Sequence, residues 1–314
     1  MPDRVRVHID GRELELSNLD KVLYPEVGFT KGEIIDYYVR VAPYLLPHLR
    51  SRPLTRIRYP NGVNAASFFE KNKPGGTPKW VRTVTLPVPG STTKRETLDF
   101  IVVEEIATIA WLANLAAIEL HTPQWRLNGD DPANPDLLVV DLDPGPPAGL
   151  DECCLVAVAA KHRLELDGLR PMAKTSGKKG MQLLARIDGQ RSSDEVAGYA
   201  KRVAEDLESA LPDLVTARMT KSLRPGKVFF DWSQNVAAKT TVSAYSLRAA
   251  PSPTVSAPFT WDEVERAHVR PLRPDEVLAR LESHGDPLAP LLEGPAPAPT
   301  PAAPPARFRV PRTK

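Results

Sequence analysis

The stretch LLVVDLDPGPP, residues 137–147, decides the fold of this chain. Its four apolar residues predict a buried β-strand, and Asp141 and Asp143 follow at the end of that strand. Side chains alternate along a strand with a period of two, so the two carboxylates should point to one face and Leu142 to the other. The Pro-Gly-Pro-Pro segment that follows excludes a helix and forces a turn.

This carboxylate pair has two interpretations. Two like charges on one face repel each other unless a cation lies between them, and oxygen ligands suit Mg²⁺ or Mn²⁺. Alternatively, both residues make Asx-type hydrogen bonds within the turn. The pair alone therefore leaves a metal site and a structural turn both open.

A glycine-containing connection comes next along the chain, in KTSGKKGMQLL, residues 174–184. Gly177 and Gly180 let backbone amides approach an anion closely, and Lys178 and Lys179 add positive charge. The pattern is typical of a phosphate cradle, although it is not a Walker motif. A hairpin turn with solvated lysines fits the same residues.

A third carboxylate, Asp231, follows an aromatic-rich strand in KVFFDWSQN, residues 227–235. Added to a carboxylate pair, it would complete a two-metal site in which one cation activates a hydroxyl and the other holds the leaving phosphates. By itself it is an ordinary aspartate at a strand end. The three segments in this order are more specific than any one of them.

The remaining pattern predicts one domain of mixed α and β structure around a central sheet, because strands and helices are interleaved between Pro-rich turns. We expect the folded domain to span residues 1–293. The expected strands are 98–103, 137–143, 182–187 and 228–232, and the expected helices are 104–120, 151–166 and 193–211.

The composition indicates a globular protein, with 42% hydrophobic and 25% charged residues in a chain of 314. The apolar stretches are too short to span a bilayer, and the N-terminus has no apolar signal region. Cys153 and Cys154 are adjacent and offer neither a disulfide framework nor a metal-ligand spacing, so a reducing cytoplasm is the simplest expectation.

The charge distribution is more informative than the net charge of +2. Residues 50–95 hold ten Lys or Arg and one acid, a local balance of +9. This block could bind a polyanion, or acids from elsewhere in the fold could neutralise it. Residues 294–314 are rich in Pro and Ala with a basic end, which predicts an extended or disordered tail.

Taken together, the DLD, SGKKG and late-Asp segments resemble the archaeo-eukaryotic primase-polymerase superfamily. Longer stretches of the sequence resemble one branch of it, the polymerase domain of bacterial end-joining ligase D proteins. The similarity runs from about residue 10 to residue 270. It covers NLDKVLYPEVGFTKGEIIDYY (18–38), RPLTRIRYPNG (52–62), SFFEKNKP (67–74), NLAAIELHTPQW (114–125) and KTTVSAYSLRA (239–249).

The resemblance implies a primase-polymerase-like mixed sheet core flanked by helices, with catalytic carboxylates at strand ends. It also implies site residues, each at its matching position. The implied metal ligands and catalytic residues are Asp141, Asp143 and Asp231. The implied nucleotide-binding residues are His121, Ser176, Lys179, Gln182, Gln234 and Arg248. The implied DNA-binding residues are Lys21 and Lys31, for a 5′-phosphate, and Phe68 and Phe69, for stacking on a template base.

Two further expectations follow from the resemblance. Residues 82–97 would form a loop that helps to hold the opposing DNA break. Gln182 stands where the family usually has a histidine, so an ionisable donor near the triphosphate is replaced by a neutral one. We expect this change to affect catalytic efficiency more than fold or metal binding.

The resemblance implies a nucleotidyltransferase that fills gaps and adds NTPs or dNTPs at DNA ends, with Mn²⁺ or Mg²⁺. An RNA primase, a catalytically weakened scaffold that bridges DNA ends, and a metal-dependent nuclease are the alternatives. A chain of this length is expected to carry no ligase domain, so joining is expected to need a separate ligase and the Ku protein, near the nucleoid in a bacterial cytoplasm.

Overall fold

The structure is a computed structural model that describes residues 4–88 and 95–293. Within these residues the chain forms two compact units. Unit 1 comprises residues 4–88, 95–132, 240–256 and 272–285. Unit 2 comprises residues 133–239, 257–271 and 286–293. None of the described helices is long and apolar enough to cross a membrane.

The helices and strands of the described chain have the following bounds. The helices are α1 (Lys31–Leu49), α2 (Ile106–Asn114), α3 (Leu150–Leu166), α4 (Ser193–Ala210), α5 (Trp261–Glu265) and α6 (Pro274–His284). The first ten strands are β1 (Arg4–Ile9), β2 (Arg12–Ser17), β3 (Val22–Tyr24), β4 (Phe29–Thr30), β5 (Pro53–Arg58), β6 (Phe68–Glu70), β7 (Thr83–Pro87), β8 (Thr97–Val102), β9 (Ala117–Thr122) and β10 (Trp125–Asn128). The others are β11 (Asp131–Pro135), β12 (Leu137–Pro144), β13 (Met172–Thr175), β14 (Met181–Arg186), β15 (Val215–Thr216), β16 (Val228–Phe230), β17 (Thr241–Val242), β18 (Leu247–Arg248), β19 (Thr254–Val255) and β20 (Pro258–Phe259).

Unit 1 is built on an antiparallel sheet in the order β17-β9-β5-β8-β7, with β6 paired to β5. Helix α1 begins with a capping box between Thr30 and Glu33, which satisfies two backbone N–H groups of the first turn. Its buried face includes Tyr37 and Tyr38, whose hydroxyls donate to backbone carbonyls within the same unit. These bonds let two large polar rings lie in the core without an unsatisfied hydroxyl.

Unit 2 is built on a second sheet, in the order β15-β16-β12-β14-β13-β20. Only the β15–β16 pair is parallel. Strand β12 lies inside this sheet, and residues 138–142 on it are all buried. A strand with neighbours on both sides and helix α3 packed against it explains why the sequence there is continuously apolar rather than alternating.

The mixed α and β class is confirmed, and so are the strands near residues 98–103, 137–143 and 182–187 and the helices near 151–166 and 193–211. The expected central sheet is instead two six-stranded sheets. The domain limits at residue 293 stay a prediction, and the tail at 294–314 lies outside the described residues.

Three predicted boundaries were wrong. The helix expected over 104–120 ends at Asn114, and after a left-handed residue, Ala116 (φ 58°), the chain continues as strand β9. The strand expected over 228–232 ends at Phe230, because Asp231 caps the 3₁₀ turn Trp232–Asn235. The loop expected over 82–97 is shorter, since residues 83–87 and 97 belong to paired strands; residues 89–94 lie outside the described residues.

Candidate active site

Asp141 and Asp143 lie near the end of β12, in unit 2. Asp141 is 8% exposed and is the cross-strand neighbour of Gln182 on β14, whereas Asp143 is exposed and lies opposite Phe229 on β16. Leu142, between them, is fully buried. The strand and the turn after it are as predicted from the LLVVDLDPGPP stretch.

Electrostatics set Asp141 apart from an ordinary aspartate. Burial, and then the neighbouring Asp143, raise the pKa of Asp141 to about 7, with a further contribution from Asp231. A hydrogen bond from Gln182 and the charge of Lys174 act in the opposite direction. The ionised form of Asp141 is therefore disfavoured in the protein alone, and either a proton or a nearby cation relieves the repulsion.

Asp231 follows β16 directly, so its backbone is held beside Asp141. Its carboxylate is engaged locally: Oδ1 accepts from the backbone N–H of Ser233 at 3.0 Å, and Oδ2 accepts from Nε2 of Gln234 at 3.2 Å. Nζ of Lys239 lies 3.5 Å from Oδ2. Asp231 thus caps the 3₁₀ turn Trp232–Asn235, and two of the segment's predicted site residues, Asp231 and Gln234, contact each other.

The donor chemistry here fits a hard divalent cation, because all three carboxylates offer oxygen ligands and the buried one is destabilised when ionised. The side chains do not converge on one point, however. Over residues 4–88 and 95–293, no three His, Cys, Asp or Glu side chains form a group arranged to hold a metal ion. Asp231 is the carboxylate that faces its own turn.

The turn between β13 and β14 is organised by Ser176. Its Oγ accepts from the backbone N–H groups of Lys178 at 3.3 Å and Gly180 at 3.2 Å. A Cβ at Gly180 would lie 2.3 Å from the carbonyl oxygen of Leu142 and 3.4 Å from Oδ1 of Asp143. Only glycine therefore fits at Gly180, and this close approach brings the turn beside the end of β12. Lys179 is exposed on the same turn.

Gln182 faces Asp141 rather than the solvent. It is 5% exposed, and its Nε2 donates to Oδ1 of Asp141 across 2.9 Å. Its Oε1 accepts from Nζ of Lys174, which is 1% exposed. Sequence reasoning missed Lys174, because its contact depends on the pairing register of β13 and β14, which the sequence does not reveal.

His121 and Arg248 are brought together in unit 1 by a residue that the sequence analysis missed, Glu119. Oε2 of Glu119 lies 3.1 Å from Nε2 of His121 and 3.5 Å from Nε of Arg248. Its Oε1 accepts from the N–H of Ala249 at 3.0 Å. The spacing of two places Glu119 and His121 on one face of strand β9, but the helix expected over 104–120 concealed this signal.

Lys21 and Lys31 are close enough that the charge of Lys21 contributes to lowering the pKa of Lys31, after burial as the main cause. The two differ in exposure. Lys31 is 4% exposed, and its Nζ donates to Oδ1 of Asn114 at 2.9 Å and to the Asn114 carbonyl at 3.1 Å. Lys21 is exposed, and its Nζ donates to Oδ1 of Asn61 at 3.3 Å.

Phe68 and Phe69, on β6, are 51% and 61% exposed. Neither ring is packed in the core, and both are accessible. The basic block around them is partly neutralised by acids, as Arg56 and Arg58 pair with Glu70. Elsewhere in this block, Arg82 pairs with Glu104 and Lys73 with Asp99.

Comparison with known proteins identifies the family. Residues 30–288 match the model of the LigD primase-polymerase domain. The chain is 45% identical over 278 residues to the multifunctional non-homologous end joining protein LigD of Mycolicibacterium smegmatis, covering 88% of this chain and 36% of that protein. It is 33% identical over 280 residues to the bifunctional LigD of Bacillus subtilis, covering 88% and 43%.

A solved structure agrees with the sequence relatives. The polymerase domain of Mycobacterium tuberculosis ligase D in complex with DNA superposes with a TM-score of 0.84 at 44% identity, covering 89% of this chain and 98% of that one. The chain spans about a third of the length of the mycobacterial relatives it matches. The resemblance inferred from the motifs is confirmed: this chain belongs to the LigD primase-polymerase domain family.

Proposed function

We propose that this protein is a DNA-end nucleotidyltransferase, which fills gaps and adds NTPs or dNTPs to DNA ends, with and without a template, in bacterial non-homologous end joining. Membership of the LigD primase-polymerase family and the likeness to a DNA-bound polymerase domain support this proposal. The observation that carries it is the pair Asp141 and Asp143 at the end of β12, where burial and the neighbouring Asp143 disfavour the ionised form of Asp141.

The reaction needs a divalent cation, and Mn²⁺ or Mg²⁺ is the ion we propose. Asp141, Asp143 and Asp231 would hold two such ions, with Asp231 exchanging its bond to Ser233 for the cation. When bound, the ions lower the pKa of the primer 3′-hydroxyl and neutralise charge on the reacting phosphate. In this scheme the three carboxylates orient the reacting groups, and a dedicated protein base is not required.

Nucleotide contacts are proposed in each unit separately. In unit 2, the turn at Ser176 with the exposed Lys179 would bind the triphosphate, and Gln234 would line the nucleotide pocket. In unit 1, His121 and Arg248 would contact the nucleotide, and the Arg248 guanidinium suits phosphate because it can donate two parallel hydrogen bonds. The shared carboxylate of Glu119 supports this pairing, since it holds both side chains on one face.

DNA contacts are proposed in unit 1. Lys21 and Lys31 would bind the 5′-phosphate at the downstream side of a gap, and the exposed rings of Phe68 and Phe69 would stack on the template base. A stacking contact tolerates any base, which suits an enzyme that acts on breaks of arbitrary sequence. Proposed partners are Ku and a ligase that seals the filled gap, in the cytoplasm near the nucleoid.

The test is extension of a labelled primer on a gapped duplex with a 5′-phosphate, with NTPs or dNTPs and Mn²⁺. The proposal predicts extension by the wild type and none by the Asp141→Ala/Asp143→Ala double variant, with DNA binding retained. Asp213→Asn, on an exposed loop, serves as the control.

Each alternative gives a different result in the same assay. Shortening of the primer would indicate a nuclease, and synthesis without any primer would indicate a primase. DNA binding without extension by the wild type would indicate an end-bridging scaffold. Normal extension by the double variant would disprove the carboxylate assignment.

A further inference from the structure

Three buried polar side chains form a row across three antiparallel strands of unit 2. Gln182 on β14 is the cross-strand neighbour of Asp141 on β12 and of Lys174 on β13. The three are 5%, 8% and 1% exposed, respectively. Nζ of Lys174 donates to Oε1 of Gln182, and Nε2 of Gln182 donates to Oδ1 of Asp141.

Lys174 determines which end of the Gln182 amide meets Asp141. An ammonium group has only donors, so the amide atom that it contacts must be the oxygen. The NH₂ group is then left to face the carboxylate, which only accepts. Without Lys174 the amide oxygen would lose this donor, and the Gln182 side chain would be held less firmly against Asp141.

We propose that Gln182 is a positioning residue that fixes the carboxylate of Asp141 for a divalent cation, and that Lys174 fixes Gln182 in turn. This inference rests on the proposed metal-binding role of Asp141. It also changes the expected role of Gln182. The side chain does not bind the triphosphate, because its oxygen and one amide hydrogen are engaged and it is almost wholly buried.

Groups that hydrogen-bond a metal-binding side chain orient it, and their loss typically weakens metal affinity by about 10–100-fold. A neutral amide suits this role beside Asp141. It fixes one carboxylate oxygen without placing a second positive charge against an incoming cation. Lys174 supplies its charge one residue further away, across Gln182.

The experiment measures Mn²⁺ affinity in the full chain without DNA or nucleotide, from the electron paramagnetic resonance signal of unbound Mn²⁺. Gln182→Leu removes the donor, and Lys174→Met removes the ammonium while keeping the length of the side chain. Each should weaken Mn²⁺ binding about tenfold or more. Gln182→His keeps one donor and one acceptor and should stay close to wild type.

Lys201→Met is the matched control, because Lys201 is half-exposed on α4 and its loss changes the net charge equally. The result for Gln182→Leu is decisive, since it removes the donor to Asp141 and retains Lys174, whose charge also acts on Asp141. Thermal melts check that each variant folds. If either buried variant does not fold, Gln182→Asn takes its place, because it keeps the amide but is too short to bridge the row.

Wild-type Mn²⁺ affinity in the Leu, Met and Asn variants would overturn the proposal. A raised nucleotide KM in Gln182→Leu with unchanged Mn²⁺ affinity would also overturn the proposal. It would indicate that Gln182 binds the triphosphate instead. A wild type that binds no Mn²⁺ would overturn the proposal as well. A wild type that binds Mn²⁺ as expected but extends no primer would contradict the proposed function alone.

Discussion

Oε2 of Glu119 lies 3.1 Å from Nε2 of His121, and Glu119 is only 1% exposed. A carboxylate buried to this degree needs partners, because desolvation of an unpaired charge is costly. It has them in His121, Arg248 and the N–H of Ala249. Glu119 therefore orients two side chains that are proposed to bind nucleotide, although Glu119 itself is buried.

Glu119→Gln is expected to raise the nucleotide KM about tenfold, since weakening a charge-assisted bond costs on the order of 1–2 kcal/mol. The glutamine has the same shape and its Oε1 still accepts from Ala249, but it lacks the charge that pairs with Arg248. Steady-state primer extension over a range of nucleotide concentrations measures the change. Glu208→Gln, in unit 2, is the control, and equal KM values in the two variants would show that Glu119 has only a structural role.

Asp141 gives a pH-dependent stability prediction in the absence of metal. Burial and Asp143 raise its pKa to about 7 in the folded protein, against about 4 in an unfolded chain. The folded state therefore loses stability through this group as the pH rises from about 4 to about 7, and the full loss persists above that range. Asp141→Asn removes the charge and keeps an oxygen that can accept from Gln182.

In EDTA at pH 8, Asp141→Asn should melt several degrees above wild type, and the difference should shrink towards pH 4. Added Mn²⁺ should raise the melting temperature of the wild type at pH 8 and have little effect on the variant. Differential scanning calorimetry with Asp213→Asn alongside measures both. A variant no more stable than wild type at pH 8 would mean that the ionised form of Asp141 does not destabilise the folded protein.

The sequence was sufficient to predict the features that lie within a single strand or a single helix. The pair Asp141 and Asp143 lies at the end of the strand expected over 137–143, and the helix expected over 193–211 is α4. Such features depend on residues close together in the chain. They need no knowledge of which strand pairs with which.

The sequence was insufficient to predict the features that depend on which strands pair and in which register. The apolar run after Glu104 has no period that separates helix from buried strand, and its second half becomes β9 because it pairs with β5 and β17. The contact of Lys174 with Gln182 likewise depends on strand register. The division of the strands between two six-stranded sheets was missed for the same reason, because pairing decides which strands share a sheet.

Lys21 and Lys31 should contribute differently to 5′-phosphate binding. Nζ of Lys31 already donates to two oxygens of Asn114, whereas Lys21 is exposed. Lys21→Met should therefore remove most of the preference for a gap with a 5′-phosphate over one with a 5′-hydroxyl, about tenfold in Kd. It should also lower the slope of log affinity against log salt by about 1.

Lys31→Met should weaken binding and also lower the melting temperature, because the carbonyl and Oδ1 of Asn114 each lose a donor, and Oδ1 is left with the N–H of Ser17. Fluorescence anisotropy on both DNA substrates at two salt concentrations measures the affinities, with Lys201→Met as the control. Equal affinity of the wild type for the two substrates would contradict 5′-phosphate binding by both lysines.

The exposed pair Phe68 and Phe69 allows a test of DNA contact that is separate from folding. Both side chains are more than half exposed, so truncating them removes little buried surface and should leave the melting temperature nearly unchanged. A ring that stacks on a base contributes about 1–3 kcal/mol per base. Phe68→Ala/Phe69→Ala should therefore weaken binding to gapped DNA by about 10–100-fold, whatever the template base.

The single variants decide which ring stacks. Neighbouring residues on β6 point to opposite faces, so one of the two rings should account for most of the loss and the other for little. At that position, Phe→Trp should keep the affinity and Phe→Leu should not, because leucine is apolar but has no ring to stack. Leu166→Ala is the control, since Leu166 is 55% exposed on α3. Equal losses in the two alanine variants, or full affinity with leucine, would mean that the rings contribute only apolar surface and do not stack on a template base.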